Sequence, residues 1–265
     1  MVWMAGLFAC FVWWFSTGAL LLIVRRADRA GGAAHTRAAW MAVPMAAAGA
    51  VGITMLDALS PVAAAYGGFV AALAIWGAIE LTFLTGAVTG PNRKACPVGA
   101  TPMGRLTAAW TAIYWHELLI VAGLLLIVVL TSGDIAHVAT ATYLVLFLAR
   151  ICAKLNLFFG VPRINIEFVP TSLAHITSYF RQGPVTIAFP LAISFLTFAT
   201  ACFIFQIAQA ETAGVAATYS LLTAIAALAL LEHWLMVLPL PDAALWRWML
   251  PKPTQGPPVP EVTER

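Results

Sequence analysis

A chain of 265 residues that is 62% hydrophobic and 9% charged cannot cover itself with polar side chains. Soluble domains typically carry about 25% charged residues. A water-soluble globule is therefore excluded and lipid becomes the solvent. The net charge of +3 points to no nucleic-acid partner; the placement of the charges says more than their sum.

A bilayer core about 30 Å thick needs roughly 20 apolar residues per helix. Such runs recur near residues 3–24, 39–56, 62–86, 107–131, 138–159, 185–207 and 213–238. The predicted fold is all-α: a polytopic bundle of about seven spanning helices over residues 1–240. A cytoplasmic tail follows at 241–265. The first run has no basic residue before it and Arg25 and Arg26 after it, the reverse of a signal peptide, so it reads as a retained helix. Cys10, Cys96, Cys152 and Cys202 are widely spaced and form neither a disulfide framework nor a zinc motif.

The connectors give the orientation. Arg25, Arg26, Arg29 and Arg37 follow the first span. Arg93, Lys94 and Arg105 follow the third, and Arg150, Lys154, Arg163 and Arg181 cluster around the end of the fifth. With Arg247, Lys252 and Arg265 in the tail, all 14 basic residues fall on one predicted side. The opposite connectors carry Asp57, Asp134, His137 and Glu211. Cytoplasmic loops concentrate Lys and Arg, so the N-terminus is expected outside and the C-terminus inside. The cytoplasmic mass is then the loop 87–106, the segment 160–184 and the tail. Pro-rich PKPTQGPPVPEVTER at the end is expected to be disordered. Leu245, Trp246, Arg247 and Trp248 before it read as an interfacial anchor.

Ionisable side chains inside a spanning helix each need a partner or a task. Glu80 lies in the third span, His116 and Glu117 in the fourth, Arg150 and Lys154 in the fifth, and Glu232 and His233 in the seventh. At 1.5 Å per residue they sit roughly 5–15 Å inside the cytoplasmic boundary, so they are expected to face one interior pocket. Three readings compete. The glutamates pair with Arg150 and Lys154 and hold the bundle together. Alternatively, His116 or His233 meets the magnesium of a chlorin, with Trp115 and Trp234 packing on the macrocycle. Or the carboxylates and histidines bind a redox metal, against which the adjacent pairs His116-Glu117 and Glu232-His233 argue: neighbours on a helix point about 100° apart. No visible internal repeat supports a transporter.

The loop GAVTGPNRKACPVGATPMGR matches no phosphate-binding fingerprint. Cys96 stands beside Arg93 and Lys94, which favour its thiolate, though an ordinary loop cysteine is the simpler reading. From Thr171 the apolar positions Leu173, Ile176, Tyr179 and Phe180 recur at three- and four-residue spacing. This predicts an amphipathic helix lying on the membrane surface, N-capped by Thr171 or Ser172.

The stretch LARICAKLNLFFGVPRINIEFVPTSLAHITSYF resembles the PuhE family, whose members are assigned by name to photosynthetic complex assembly. So do LEHWLMVLPLPDAALWRWML, TGPNRKACP and YWHE, and the resemblance spans nearly the whole chain. Matching motif positions are Arg150, Lys154, Asn156, Pro162, Glu167, Pro170, His175 and Tyr179, beside His116, Glu117, Glu232 and His233. The resemblance implies a multi-pass protein of the bacterial inner (intracytoplasmic) membrane. Its implied role is assembly of the reaction centre and core light-harvesting antenna, or control of bacteriochlorophyll supply to them. The implied partners are those subunits or other assembly factors; bacteriochlorophyll or a precursor would be held only transiently. It implies no catalytic mechanism. The alternative is a membrane enzyme or redox accessory of bacteriochlorophyll metabolism that uses the Glu/His cluster.

Overall fold

The computed structural model describes residues 2–134 and 137–240. The anchor and disorder expected beyond Leu240 lie outside the described residues. Among the described residues there are eight α-helices: α1 (Val2–Ala30), α2 (Ala34–Trp40), α3 (Ala42–Thr54), α4 (Pro61–Leu84), α5 (Pro102–Leu130), α6 (Val138–Phe159), α7 (Ala188–Ala208) and α8 (Ala213–Leu235). Among the described residues no strand forms. This is an all-α polytopic bundle, and the protein is a multi-pass membrane protein. Six helices, α1 and α4 to α8, are each long and apolar enough to cross a bilayer.

The predicted span 39–56 differs. It is divided at Met41 into α2 and α3, and neither part reaches spanning length alone. Pro44 supplies the reason: it has no N–H for the carbonyl of Trp40, and its ring crowds the preceding turn. The bent pair still runs the length of α4 in the opposite sense. His35, Thr36 and Trp40 share a cavity with Thr85, Gly86 and Ala87 at one end of α4, and Leu56 packs on Gly67 and Gly68 towards the other. A Cβ on Gly49 would lie 2.7 Å from the Ala71 carbonyl oxygen, so glycine permits this close contact.

Hydroxyl caps start several helices. Ser60 accepts from the Ala63 N–H ahead of α4, Thr101 from Gly104 ahead of α5, and Thr212 from Val215 ahead of α8. α4 is the most buried span, against α1, α3, α6 and α8. One core cluster joins Ala5 and Ala9 of α1, Phe69 and Leu73 of α4, Val138 of α6, and Leu221 and Ile225 of α8. α1 and α7 turn most of their apolar side chains outward, as lipid-facing helices do, among them Phe11, Phe15, Leu191 and Phe198.

The segment from Gly160 to Pro184 forms no surface helix. Thr171–Tyr179 is a run of 3-10 turns packed onto the end of the bundle. Leu173, Ile176 and Tyr179 are spaced three apart, which is one face of a helix with three residues per turn, and all three are buried. Leu173 and Ile176 cluster with Phe83. Neither predicted cap acts as one: the Thr171 hydroxyl donates to Asp28 of α1 at 2.5 Å, and Ser172 donates to the Leu84 carbonyl at 2.6 Å.

Candidate functional site

The charged residues of the spanning helices stand one layer beneath this 3-10 plug. Arg150 of α6 donates from Nη2 to Glu80 Oε2 at 3.0 Å. One turn further along α6, Lys154 pairs with Glu117 of α5. His116 of α5 is wholly buried with its ring stacked on Phe83, 4.0 Å between centroids and 21° between planes. Its Nε2 lies 3.8 Å from Glu80 Oε1, too far for a hydrogen bond, and neither ring nitrogen has a hydrogen-bond partner. Five of the seven intramembrane residues thus meet across α4, α5 and α6: Glu80, His116, Glu117, Arg150 and Lys154.

The α8 pair does not join them by direct contact. His233 is 1% exposed, with Nδ1 2.7 Å from the Ala229 carbonyl oxygen of its own helix. Glu232 is exposed and forms no direct ion pair among the described residues, although Arg150 is near enough to act on it. Of the seven residues expected to face one interior pocket, five therefore meet and the α8 pair does not join them by direct contact.

Neither histidine offers a macrocycle an open face. Phe83 covers the His116 ring, and both flanking tryptophans point away: Trp115 is exposed, and Trp234 packs edge-on against Phe189 at 5.5 Å. Among the described residues no three His, Cys, Asp or Glu side chains converge as a metal-binding group.

What closes the layer from above is the glycine-rich loop. Thr89 and Gly90 are buried beside α5, where the His116 N–H donates to the Thr89 carbonyl at 2.9 Å. Asn92 donates from its backbone N–H to the Thr111 carbonyl, and from Nδ2 to Ala108 O and the Tyr179 hydroxyl. Gly90 lies so close to α5 that a Cβ there would sit 2.1 Å from the Thr111 oxygen. Non-helical backbone at this depth is tolerated because protein, not lipid, surrounds it. The richness of this loop in Gly and Pro was visible in the sequence; its docking on α5 was not.

The motif positions of the 160–184 segment are tied into the same end. Asn156 is buried and donates to Cys152 O at 3.0 Å. The Pro162 carbonyl accepts from Gln182, and the Glu167 carbonyl accepts from Arg25 at 2.5 Å while its carboxylate is exposed. Pro170 leads into the 3-10 run, and the Tyr179 hydroxyl donates to Lys94 O at 2.9 Å. Arg105 donates to the carbonyls of Phe158 and Tyr179 and lies over the Phe158 ring at 4.0 Å. Burial first, and then Arg93, lowers the His175 pKa below its ordinary value. Cys96 is a half-buried free thiol whose backbone N–H donates to Ser178.

Residues 1–256 match the model of the family described as "Protein of unknown function (DUF3623)". The chain belongs to that family. It is 46% identical over 249 residues to the "Uncharacterized 30.4 kDa protein in puhA 5'region" of Rhodobacter capsulatus, covering 94% of this chain and 91% of that protein. No solved structure matches. The DUF3623 match covers every described helix, so the charged layer, the docked loop and the 3-10 plug all lie within the family's span.

Proposed function

We propose that this protein is a non-enzymatic assembly factor for photosynthetic pigment–protein complexes, acting within the bilayer on the reaction centre and its core light-harvesting antenna. The observation that carries this reading is the relative named for its place 5′ of puhA, a photosynthesis gene, at 46% identity across nearly the full length of both chains. The geometry is compatible with a scaffold. Its two intramembrane cations are held by Glu80 and Glu117, and its two spanning-helix histidines are packed away from any open face. Such an interior rigidifies a bundle whose outer faces are left to lipid and to other helices. We place the basic face in the cytoplasm on the distribution of Arg and Lys, and the membrane itself is the photosynthetic inner membrane.

The test is gene deletion in a phototroph combined with gentle solubilisation of the tagged protein. An assembly factor lowers the yield of assembled reaction centre and core antenna without accumulation of a new pigment precursor, and it co-purifies substoichiometrically with their subunits. A single precursor accumulating in the deletion strain, with complexes otherwise assembled, would sink the proposal in favour of pigment chemistry.

A further inference from the structure

On α8, Ile225 lies seven residues before Glu232 and Leu228 four, so all three side chains leave the same face of the helix. Ile225 belongs to the interior cluster shared with α1, α4 and α6, and Leu228 packs against it. Glu232 points the same way and is exposed. This face of α8 is therefore covered at Ile225 and uncovered two turns later, while His233 on the adjoining face stays buried.

The other helices bring charge to the same depth, and on α4 it stays covered, Glu80 being buried. The cluster reaches Leu73 on α4, and Leu146 of α6 and Leu228 of α8 flank it; Glu80, Arg150 and Glu232 follow at seven, four and four residues further on. The Arg150 side chain is 33% exposed, and its Nε has no hydrogen-bond partner among the described residues. Charge separates the residues of this layer. Three carboxylates, Glu80, Glu117 and Glu232, face two cations, and both cations already have a closer carboxylate than Glu232. The carboxylate left over is the exposed one. An exposed carboxylate among apolar neighbours, here Leu231 and Trp234, is costly in lipid and favours a cationic partner.

We propose that the uncovered face of α8 around Glu232 is a docking cleft for a transmembrane partner helix, whose Lys or Arg side chain pairs with Glu232. The proposal rests on the assembly reading, since it names where such a factor would hold a membrane subunit.

The test uses the full chain in lipid vesicles with synthetic leucine–alanine transmembrane helices as probes, association being read by energy transfer. One probe carries a single Lys two turns from its end, one carries Gln there, and one is wholly apolar. The Lys helix is expected to associate at least about five-fold more tightly than the apolar helix, the size typical of a polar contact between helices in a membrane. Glu232→Gln should remove the preference; Leu125→Ala, on the outer face of α5, should leave it. Equal association of the Lys and apolar helices, or a preference that survives Glu232→Gln, overturns the cleft. So does displacement of the Lys helix by a small alkylammonium amphiphile at equal concentration, because the cleft would then be a small-molecule site. Unfolding of each variant is measured alongside, so that a folding defect is not mistaken for lost docking. If the preference holds while Glu232→Gln leaves complex yield in cells unchanged, the cleft stands and the assembly reading falls.

Discussion

α5 and α8 carry the same two residues in opposite order, His116-Glu117 and Glu232-His233, and the bundle treats them alike up to a point. Both imidazoles are buried, at 0% and 1% exposure. Both carboxylates, turned about 100° from their neighbours, leave towards a different face. There the likeness ends. Glu117 meets Lys154 of α6, whereas Glu232 meets no cation directly among the described residues and is exposed. The histidine's place follows from its own helix, while the carboxylate's depends on what the adjacent helix happens to present.

The sharpest way to break this comparison is to remove each carboxylate in turn. Glu117→Ala strands a mostly buried Lys154 and is expected to cost about 3–5 kcal/mol of stability in detergent, as lost partners of buried ions do. Replacing both, Glu117→Leu with Lys154→Met, should restore most of that loss. Glu232→Ala, at an exposed position without a direct ion pair among the described residues, should destabilise by no more than about 0.5 kcal/mol. Equal losses for Glu117→Ala and Glu232→Ala would mean that α8 is bound into the charged layer after all. Denaturation of the solubilised protein by a graded detergent titration reads all three.

A smaller effect sharpens the contrast between the docked loop and the lipid-facing helices. Gly90→Ala places a methyl group 2.1 Å from the Thr111 oxygen and should destabilise by about 1–3 kcal/mol through overpacking. Gly6→Ala in α1, where nothing lies within 4 Å, should be neutral or stabilising by up to about 1 kcal/mol. Tyr179→Phe removes the hydroxyl that joins Asn92 to Lys94 and should cost about 1–2 kcal/mol. Thermal midpoints of the three variants give the order directly.

The helical spans were legible because lipid exposure makes each one a long apolar run, and apolar runs need no knowledge of neighbours to be read. The break at Met41 was legible in principle, since Pro44 is local. What the sequence concealed were the contacts between distant elements. Nothing near Thr89 announces that its carbonyl receives the His116 N–H, and nothing near Asp28 announces Thr171. The 3-10 run misled for a subtler reason. Leu173, Ile176 and Tyr179 are spaced by three, but Phe180 beside Ile176 also offers a spacing of four, which reads as an ordinary amphipathic helix. Of the charged layer, the membership of Glu80, Arg150, Lys154 and Glu117 followed from depth and sign alone. That Glu232 stands apart did not, because its exposure depends on which distant helices pack beside the end of α8.

The smallest expected effect lies in the plug itself and separates it from the layer below. His175 is half-buried in the 3-10 run, and its Nε2 has no hydrogen-bond partner. Burial and Arg93 lower its pKa beneath the ordinary value of 6.5, so the unfolded chain binds a proton more readily than the folded one. Stability from this group is therefore fully present above about pH 6.5 and is lost as pH falls below it. Carboxylates elsewhere also titrate on the acid side, so the informative quantity is the difference between wild type and His175→Gln. Melting midpoints taken at about pH 7.5 and about pH 5.5 should show the variant losing slightly less on acidification than the wild type. An identical loss in both proteins would mean that His175 titrates as freely in the plug as in the unfolded chain. The plug would then be looser over Arg93 than its buried neighbours Leu173, Ile176 and Tyr179 imply.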